Sequence, residues 1–172
     1  MDITLRACQP GDEQALAAIG AATFLESYAG VVDGAAIVRH CAERQTARVY
    51  ADALADPDQA LWICEMAPGA APVGYLHLAA PDLPIESGPH DLEIKRIYVL
   101  SKFHGEGLGR RLLDAADRHA AEYGASRLLL GVYKKNAPAL RFYDRAGFSI
   151  VGERAFDVGG QVYDDWVLEK IL

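Results

Sequence analysis

The sequence predicts an α/β domain built on a mixed sheet, with an antiparallel hairpin of strands at its carboxyl end. Strand-like and helix-like apolar patterns alternate closely from Asp91 onward, as in folds that layer helices on a sheet. The last two strand-like segments flank Gly159-Gly160, a pair typical of a two-residue hairpin turn with positive φ angles. The length of 172 residues suits one hydrophobic core, so we expect a single domain over residues 1–172.

The amino-terminal part predicts a strand followed by helices. Residues 3–7 alternate in polarity, as a half-buried strand does. Residues 10–12, Pro-Gly-Asp, start a helix. Two more helical stretches are expected within residues 31–55, broken near Asp33-Gly34 and ended before Pro57. The apolar side of the first helix comprises Leu16, Ile19, Ala22 and Phe24.

The remaining elements follow from turn residues and apolar spacing. Residues 81–89 carry three prolines and one glycine and predict a loop. Gly147 is placed to close a helix, since glycine readily adopts the left-handed conformation found there. We expect strands over residues 60–66, 73–79, 92–100, 127–133, 148–158 and 161–168, and helices over residues 108–123 and 137–146.

Composition and charge exclude several classes of protein. A hydrophobic fraction of 51% argues against intrinsic disorder. The formal charge of −7 argues against binding to nucleic acids or anionic membranes, which needs a basic excess. The acidic excess favours cationic partners or serves solubility alone. The start of the chain lacks the pattern of a signal peptide, and no apolar run reaches the ~20 residues of a membrane span, so we expect a cytoplasmic protein.

The cysteines and histidines predict neither a disulfide framework nor a metal site. The three cysteines are far apart, and no C-x-x-C occurs. Cys64 lies in the apolar run 61–64 and is expected to be a buried small residue. The histidines show no metal-ligand spacing, so we expect no bound metal.

A glycine-rich loop joins the strand near residues 92–100 to the following helix. Gly105, Gly107 and Gly109 let backbone N–H groups converge, and the helix N-terminus adds a partial positive charge. Arg110 stands where the dinucleotide pattern G-x-G-x-x-G needs its last glycine, and no Gly-Lys-Ser/Thr follows as in a P-loop. The loop therefore predicts a phosphate cradle of another type, or only a tight strand-to-helix turn.

A second motif follows the strand near residues 127–133. Asn136 suits the N-cap of a short helix, and Pro138 suits its first turn. Because Ala139, Phe142 and Tyr143 stand at i, i+3 and i+4, they share one helix face. A small residue beside two aromatic ones on that face can admit a narrow ligand.

Together, the two motifs resemble those of the GNAT family of acetyl-CoA-dependent N-acyltransferases. The family has Gln/Arg-x-x-Gly-x-Gly/Ala between a strand and a helix, then a strand and Asn-x-x-Ala-x-x-Phe-Tyr-x-x-x-Gly-Phe. His104 stands where the family has Gln or Arg, so one side-chain donor is lost or a pH-sensitive one is gained. The matching residues are His104, Gly105, Glu106, Gly107, Leu108 and Gly109 in the first motif, and Asn136, Ala139, Phe142, Tyr143, Gly147 and Phe148 in the second.

Within the family, the sequence is similar to the PaiA-type polyamine acetyltransferase branch at residues 95–99, 130–133, Asn136 and 151–159, with a further match at residues 23–28. The resemblance to the family covers residues 91–158. It implies about seven strands, splayed between the fourth and the fifth, with the pantetheine arm of acetyl-CoA in the opening. Main-chain groups of Ile97 and Val99 would pair with the arm, and the amides of residues 104–110 would hold the pyrophosphate. The implied cofactor-binding residues are Ile97, Tyr98, Val99, His104, Gly105, Glu106, Gly107, Leu108, Gly109, Arg110, Asn136, Ala139, Phe142 and Tyr143.

The resemblance also implies the catalytic roles. Tyr143 is expected to protonate the departing thiolate, or it only forms the wall of the pocket. A backbone N–H near Ile97 or Tyr98 would stabilise the oxyanion. Glu93 is the candidate base, because strand alternation predicts that it shares a face with Ile97 and Val99. Two alternatives for the base stay open. Either Glu93 is a solvated carboxylate and a water chain accepts the proton, or the reaction has no dedicated base. Other acidic candidates near a cationic acceptor are Glu26, Asp91, Glu153, Asp164 and Asp165.

The implied activity is acetyl transfer to a primary amine of a small molecule, with a polyamine as the candidate acceptor, by direct attack in a ternary complex. A protein or peptide acceptor is an alternative, and a non-catalytic acyl-CoA-binding regulatory module is another. The early helices and the carboxyl-terminal hairpin are expected to form the acceptor side. The same elements are candidates for the interface of a homodimer.

Overall fold

A computed structural model describes residues 2–172 and contains one seven-stranded sheet in the order β1-β2-β3-β4-β5-β7-β6. The strands are β1 (Ile3–Ala7), β2 (Ala60–Met66), β3 (Ala71–Ala79), β4 (Asp91–Val99), β5 (Arg127–Tyr133), β6 (Ser149–Val158) and β7 (Gln161–Ile171). The helices are α1 (Glu13–Tyr28), α2 (Gly34–Arg44), α3 (Ala47–Ala55), α4 (Leu108–Tyr123) and α5 (Ala137–Arg145), and a 3₁₀ turn covers Ser101–Phe103. Only β4 and β5 pair in parallel, so the predicted mixed α/β sheet is confirmed.

The helices cover both faces of the sheet. On one face, α4 and α5 pack on a core that includes Leu112, Ala116 and Leu130. On the other face, α1 and α3 enclose a smaller core that includes Leu16 and Tyr75. Cys64 is fully buried in the first core, as predicted. None of the helices within residues 2–172 is both long and apolar enough to cross a membrane.

The sheet opens between β4 and β5. The two strands pair only at their first residues, with Asp91 opposite Arg127, Leu92 opposite Leu128 and Glu93 opposite Leu129. Beyond these positions β4 stays paired with β3, and β5 stays paired with β7 over its whole length. The central strands therefore diverge, which confirms the expected opening.

A β-bulge in β4 alters which side chains share a face. His77 lies opposite Arg96 while Leu78 lies opposite Ile94, so Lys95 is an extra residue on β4. Glu93 consequently lies on the same face of β4 as Tyr98, which packs on the side of α1 and α3. The predicted common face of Glu93 with Ile97 and Val99 is wrong, because that prediction assumed uninterrupted alternation.

Most element bounds agree with the predictions to within three residues, and one helix boundary does not. The predicted break near Asp33-Gly34 is wrong, since Asp33 is the N-cap of α2 and its Oδ1 accepts from Ala36 N at 3.0 Å. The break between α2 and α3 lies at residues 45–46, where Thr46 caps α3. Ala22 is exposed, and the buried side of α1 comprises Leu16, Ile19, Gly20, Thr23 and Phe24.

Candidate active site

A cavity of about 530 Å³ lies in the opening between β4 and β5. Its walls come from the splayed part of β4, the glycine loop, the end of β5 and α5. Glu106 and Glu93 do not line it. The structure brings together there the other predicted residues: Ile97, Tyr98, Val99, His104, Gly105, Gly107, Leu108, Gly109, Arg110, Asn136, Ala139, Phe142 and Tyr143.

The glycine loop presents a row of backbone donors. Gly105 and Gly107 have φ angles of 86° and 75°, and no atom lies within 4 Å of the position where a Cβ would stand at either residue. Arg111 N, which donates to Gly107 O at 3.0 Å, is the first amide of α4 with an acceptor in its own helix. The amides of residues 108–110 lack one, as at any helix N-terminus. Free amides and the helix dipole fit a pyrophosphate.

His104 and Arg110 have partners within the protein. His104 Nε2 donates to the carbonyl of Val99 at 2.8 Å, so this side chain ties the loop to the end of β4. Arg110 Nε donates to Asp114 Oδ1 at 2.8 Å along the exposed side of α4. Both contacts leave the backbone amides as the main anion-binding groups of the loop.

Helix α5 is held close to the loop. Asn136 caps the helix as predicted, with Oδ1 accepting from Ala139 N at 3.2 Å. At Gly109 a Cβ would stand 3.2 Å from the ring of Phe142, so a larger residue there would push against α5. This packing fixes the position of Tyr143 in the cavity wall.

Three of the tyrosines that line the cavity, Tyr28, Tyr98 and Tyr143, have raised pKa values. Tyr143 is 8% exposed, and its ring packs against Phe142 and Phe148. Burial and the neighbouring Tyr98 raise the pKa of Tyr143. Burial also raises the pKa of Tyr98, and the nearby Tyr98 phenol together with burial raises that of Tyr28. All three phenols are therefore protonated at neutral pH and can act as donors.

A second cavity of about 690 Å³ lies on the opposite face of β4. It is enclosed by α1, α2, α3 and strand β6, which contributes Arg154 and Phe156. Its aromatic side includes His40, whose ring stacks on Phe24 at 4.1 Å. The two cavities share Lys95, Arg96 and Tyr98, so they meet across the splayed strand.

Glu93 lies in this second cavity and is 2% exposed. Its Oε2 accepts from Asp82 N at 2.7 Å and pairs with Lys95 Nζ at 2.8 Å. Its Oε1 lies 4.0 Å from Arg154 Nη1. Glu93 is thus a buried carboxylate with bound partners, in contrast to the solvated one that the sequence left open.

The other acidic candidates have different surroundings. Asp165 is 3% exposed, and its Oδ2 accepts from Arg154 Nη2 at 2.6 Å. Burial raises the pKa of Asp165. Asp164 is exposed. The remaining three form contacts outside the two cavities: Glu26 with Ser101, Asp91 with Arg127, and Glu153 with Lys134.

Sequence reasoning missed Arg96, Arg154 and His40, which line the second cavity. The available signal was the pair of adjacent cationic residues Lys95 and Arg96 within β4, but nothing in the local sequence tied Arg96 to β6 or α2. Within the described part of the chain, no three His, Cys, Asp or Glu side chains come together as a metal site requires.

Comparisons with known proteins agree with this architecture. Residues 27–148 match the profile of the acetyltransferase (GNAT) family. An uncharacterized N-acetyltransferase of Mycobacterium tuberculosis is 32% identical over 161 residues, which is 94% of this chain and 98% of that protein. A spermine/spermidine N(1)-acetyltransferase of Bacillus subtilis is 35% identical over 65 residues, 37% of this chain and 43% of that protein.

The fold is also that of a solved acetyltransferase. The crystal structure of a PaiA N-acetyltransferase from Thermoplasma acidophilum, in complex with coenzyme A, superposes with a TM-score of 0.79. The alignment covers 100% of both chains at 19% identity, which shows a shared fold. From the family match and the near-full-length relative, the chain belongs to the GNAT family of acetyl-CoA-dependent N-acetyltransferases.

Proposed function

We propose that this protein transfers the acetyl group of acetyl-CoA to a primary amine of a small molecule while both substrates are bound. The observation that carries the proposal is the pair of cavities on opposite faces of β4, which meet at Tyr98. The first cavity is lined by the glycine loop, whose free amides suit a pyrophosphate, and the second, of about 690 Å³, has room for a small molecule. No cysteine lines either cavity, so direct attack by the amine is favoured over a covalent intermediate.

In the proposed complex, acetyl-CoA lies along β4. Leu100 N donates to Val73 O at 2.9 Å, so by alternation the main-chain groups of Val99 and Ile97 face the opening. His104 holds the Val99 carbonyl, which leaves the Ile97 groups for the pantetheine arm and the oxyanion. Asn136, Ala139 and Phe142 would contact the far side of the arm.

The chemistry needs two proton transfers. The amine nitrogen attacks the thioester carbon, the C–S bond breaks, and the sulfur leaves as a thiolate. Tyr143 gives its proton to that thiolate. Glu93 accepts the proton that the amine loses, and because Glu93 lies outside the first cavity, the transfer runs through water in the second cavity.

A polyamine is one acceptor that this proposal admits. Its support is the Bacillus subtilis relative, but that match spans 65 residues. The residues that line the second cavity extend along the chain from Phe24 to Asp157, so a matching segment of 65 residues covers only some of them. The acceptor must therefore be identified from the cavity itself.

The proposal is tested by the release of coenzyme A thiol from acetyl-CoA with a panel of amines. The panel contains polyamines, simple alkylamines, amino acids and peptides with free amino termini. Turnover with free small amines and little turnover with peptides is expected. If acetyl-CoA binds but no small amine releases thiol, the small-molecule acceptor is wrong. Turnover of peptides alone would assign a protein acceptor.

A further inference from the structure

Buried polar atoms without partners concentrate in the second cavity. Within residues 2–172, three buried side-chain nitrogens lack a hydrogen-bond partner, and all three residues line that cavity. They are His77 Nδ1, Arg96 Nη1 and Arg154 Nε. Buried polar groups in proteins are nearly always hydrogen-bonded, so a cluster of exceptions points to a ligand.

Two of the three nitrogens are permanent donors, because guanidinium groups stay protonated. The third is an acceptor. Gln59 Nε2 donates to Asp56 at 2.9 Å, so Gln59 Oε1 accepts from His77 Nε2, which lies 2.6 Å away. This leaves the lone pair on His77 Nδ1. Two donors, at Arg96 and Arg154, and one acceptor, at His77, are therefore left without a hydrogen-bond partner in residues that line the cavity.

The charged side chains on the wall of the cavity are not all paired with an opposite charge. Arg154 pairs with Asp165 at 2.6 Å, and Lys95 pairs with Glu93 at 2.8 Å. Arg96 has no acidic partner within the described residues. Its Nη2 donates to the carbonyl of Arg44 at 3.2 Å, and its guanidinium lies 5.2 Å from the ring centre of Tyr50.

The acidic residues that line the cavity do not compensate Arg96. Asp52, Asp82 and Asp157 are exposed, so water screens them. Asp56 is half-buried and accepts from Gln59 and Asp58. Arg96 is therefore the half-buried cation of this wall that has no ion-pair partner within the described residues, and it lies two residues from the shared Tyr98 on β4.

We propose that the acceptor of this enzyme is an amine that also carries a carboxylate, and that Arg96 binds the carboxylate with Arg154 Nε beside it. A guanidinium presents two parallel N–H groups that match the two oxygens of a carboxylate. A polyamine would bring a second cation to the same wall. This inference rests on the proposed function, since it names the acceptor class of that reaction.

Binding is measured separately from turnover, by calorimetry on the full chain saturated with coenzyme A. The probes are matched in length: β-alanine, propylamine and 1,3-diaminopropane, and each standard L-amino acid against its carboxamide. Aminocarboxylates are expected to bind, and the amine, the diamine and the carboxamides, which lack a carboxylate, to bind at least about tenfold more weakly, because a hydrogen bond to a charged group is lost.

Arg96→Gln removes the charge and is expected to weaken aminocarboxylate binding by about 10- to 100-fold. Arg96→Lys keeps the charge but not the two parallel N–H groups. Its affinity for aminocarboxylates should therefore lie between that of the original protein and that of Arg96→Gln. Arg48→Gln is the matched control, because Arg48 is an exposed arginine on α3 outside the cavity. Thermal unfolding and coenzyme A affinity of each variant show that the fold is retained.

The outcomes separate the two proposals. Equal binding of acids and carboxamides, no binding of any aminocarboxylate, or full affinity in Arg96→Gln would overturn the anion site. Thiol release with diamines but not with aminocarboxylates would also overturn it, while the acetyltransferase proposal stands. Arg96-dependent binding of aminocarboxylates with no thiol release from any amine would leave the anion site standing and refute the proposed reaction.

Discussion

Replacing Tyr143 by phenylalanine isolates one hydroxyl group in the proposed mechanism. The ring packs against Phe142 and Phe148, with centroid distances of 5.3 Å and 5.6 Å, and phenylalanine preserves that packing. The substitution removes only the hydroxyl group from a side chain that lines the cavity, so the core behind the ring is unchanged. The free energy of unfolding should therefore change by less than about 0.5 kcal/mol.

The rate should change much more than the stability. General acids contribute roughly 10²–10⁴-fold. Since burial raises the pKa of Tyr143, the phenol is a weak acid, and the lower end of that range applies. We expect kcat to fall about 100-fold, which corresponds to about 2.7 kcal/mol of activation free energy. The KM for acetyl-CoA should stay the same, because the ring still fills the cavity wall.

Thiol release from acetyl-CoA with a thiol reagent at pH 8 measures this rate. The protein's own thiols should contribute little signal. Burial raises the pKa of Cys8 to about 12 and that of Cys64 to about 11, and it also raises that of Cys41. The thiolate that reacts with such reagents is therefore scarce in the folded protein.

Tyr123→Phe makes the same chemical change at an exposed position on α4 and should leave kcat unchanged. If Tyr143→Phe retains kcat within about threefold of the original protein, Tyr143 is not the proton donor. The thiolate would then leave unprotonated or take its proton from water.

Three further predictions concern the loop, the base and two buried histidines. Gly107→Val should abolish acetyl-CoA binding in calorimetry, because φ is 75° there and the side chain would enter the cradle. Glu93→Gln should lower kcat about 100-fold at pH 7, because the proposed base is removed. Acetyl-CoA binding should stay intact, because Glu93 lies outside the first cavity. Burial lowers the pKa of His40 to about 4 and that of His77 to about 3, below the value of about 6.5 in an unfolded chain. Below pH 6.5 the unfolded chain therefore binds more protons, and urea unfolding should show stability falling by up to about 1.4 kcal/mol per pH unit for each histidine down to about pH 4.

Each of these predictions has a contrary result. Gly124 has the same φ of 75° at the other end of α4, so an equal loss of acetyl-CoA affinity in Gly124→Val would mean that backbone strain, not the cradle, is responsible. Full activity of Glu93→Gln would leave water or the free amine as the proton acceptor. Constant unfolding free energy between pH 6.5 and 4.5 would show that the two histidines are not held neutral in the fold.

Features set by neighbouring residues could be predicted from the sequence. The glycine loop, the N-cap at Asn136 and the turn at Gly159-Gly160 depend on local backbone preferences, and all have the predicted conformations. Asp33-Gly34 was misinterpreted because an aspartate before a glycine is typical both of a break and of a helix start. The hydrogen bond from Ala36 N to Asp33 Oδ1 shows that a helix starts there.

Features set by distant residues could not be predicted in this way. The bulge at Lys95 arises from the register of β4 against β3 and reverses the alternation between Glu93 and Ile97. The second cavity combines α1, α2 and α3 with β6 and carries no continuous motif. Arg154 crosses to β5, where its guanidinium covers Gly131, and a Cβ at Gly131 would collide with it. Nothing in the local sequence of either residue indicates that contact.

The bulge also explains how one strand serves two substrates. Before it, β4 directs Glu93 to the acceptor face while Ile94 joins the α4 core. After it, Ile97 remains on the α4 side, and Tyr98 lies where both cavities meet. In the proposed complex, acetyl-CoA and the acceptor would therefore reach β4 from opposite faces. The net charge of −7 says little about either, because the charges that face the acceptor are local. The half-buried guanidinium of Arg96, 5.2 Å from the Tyr50 ring centre, has no ion-pair partner within the described residues, whereas water screens the exposed acids around it.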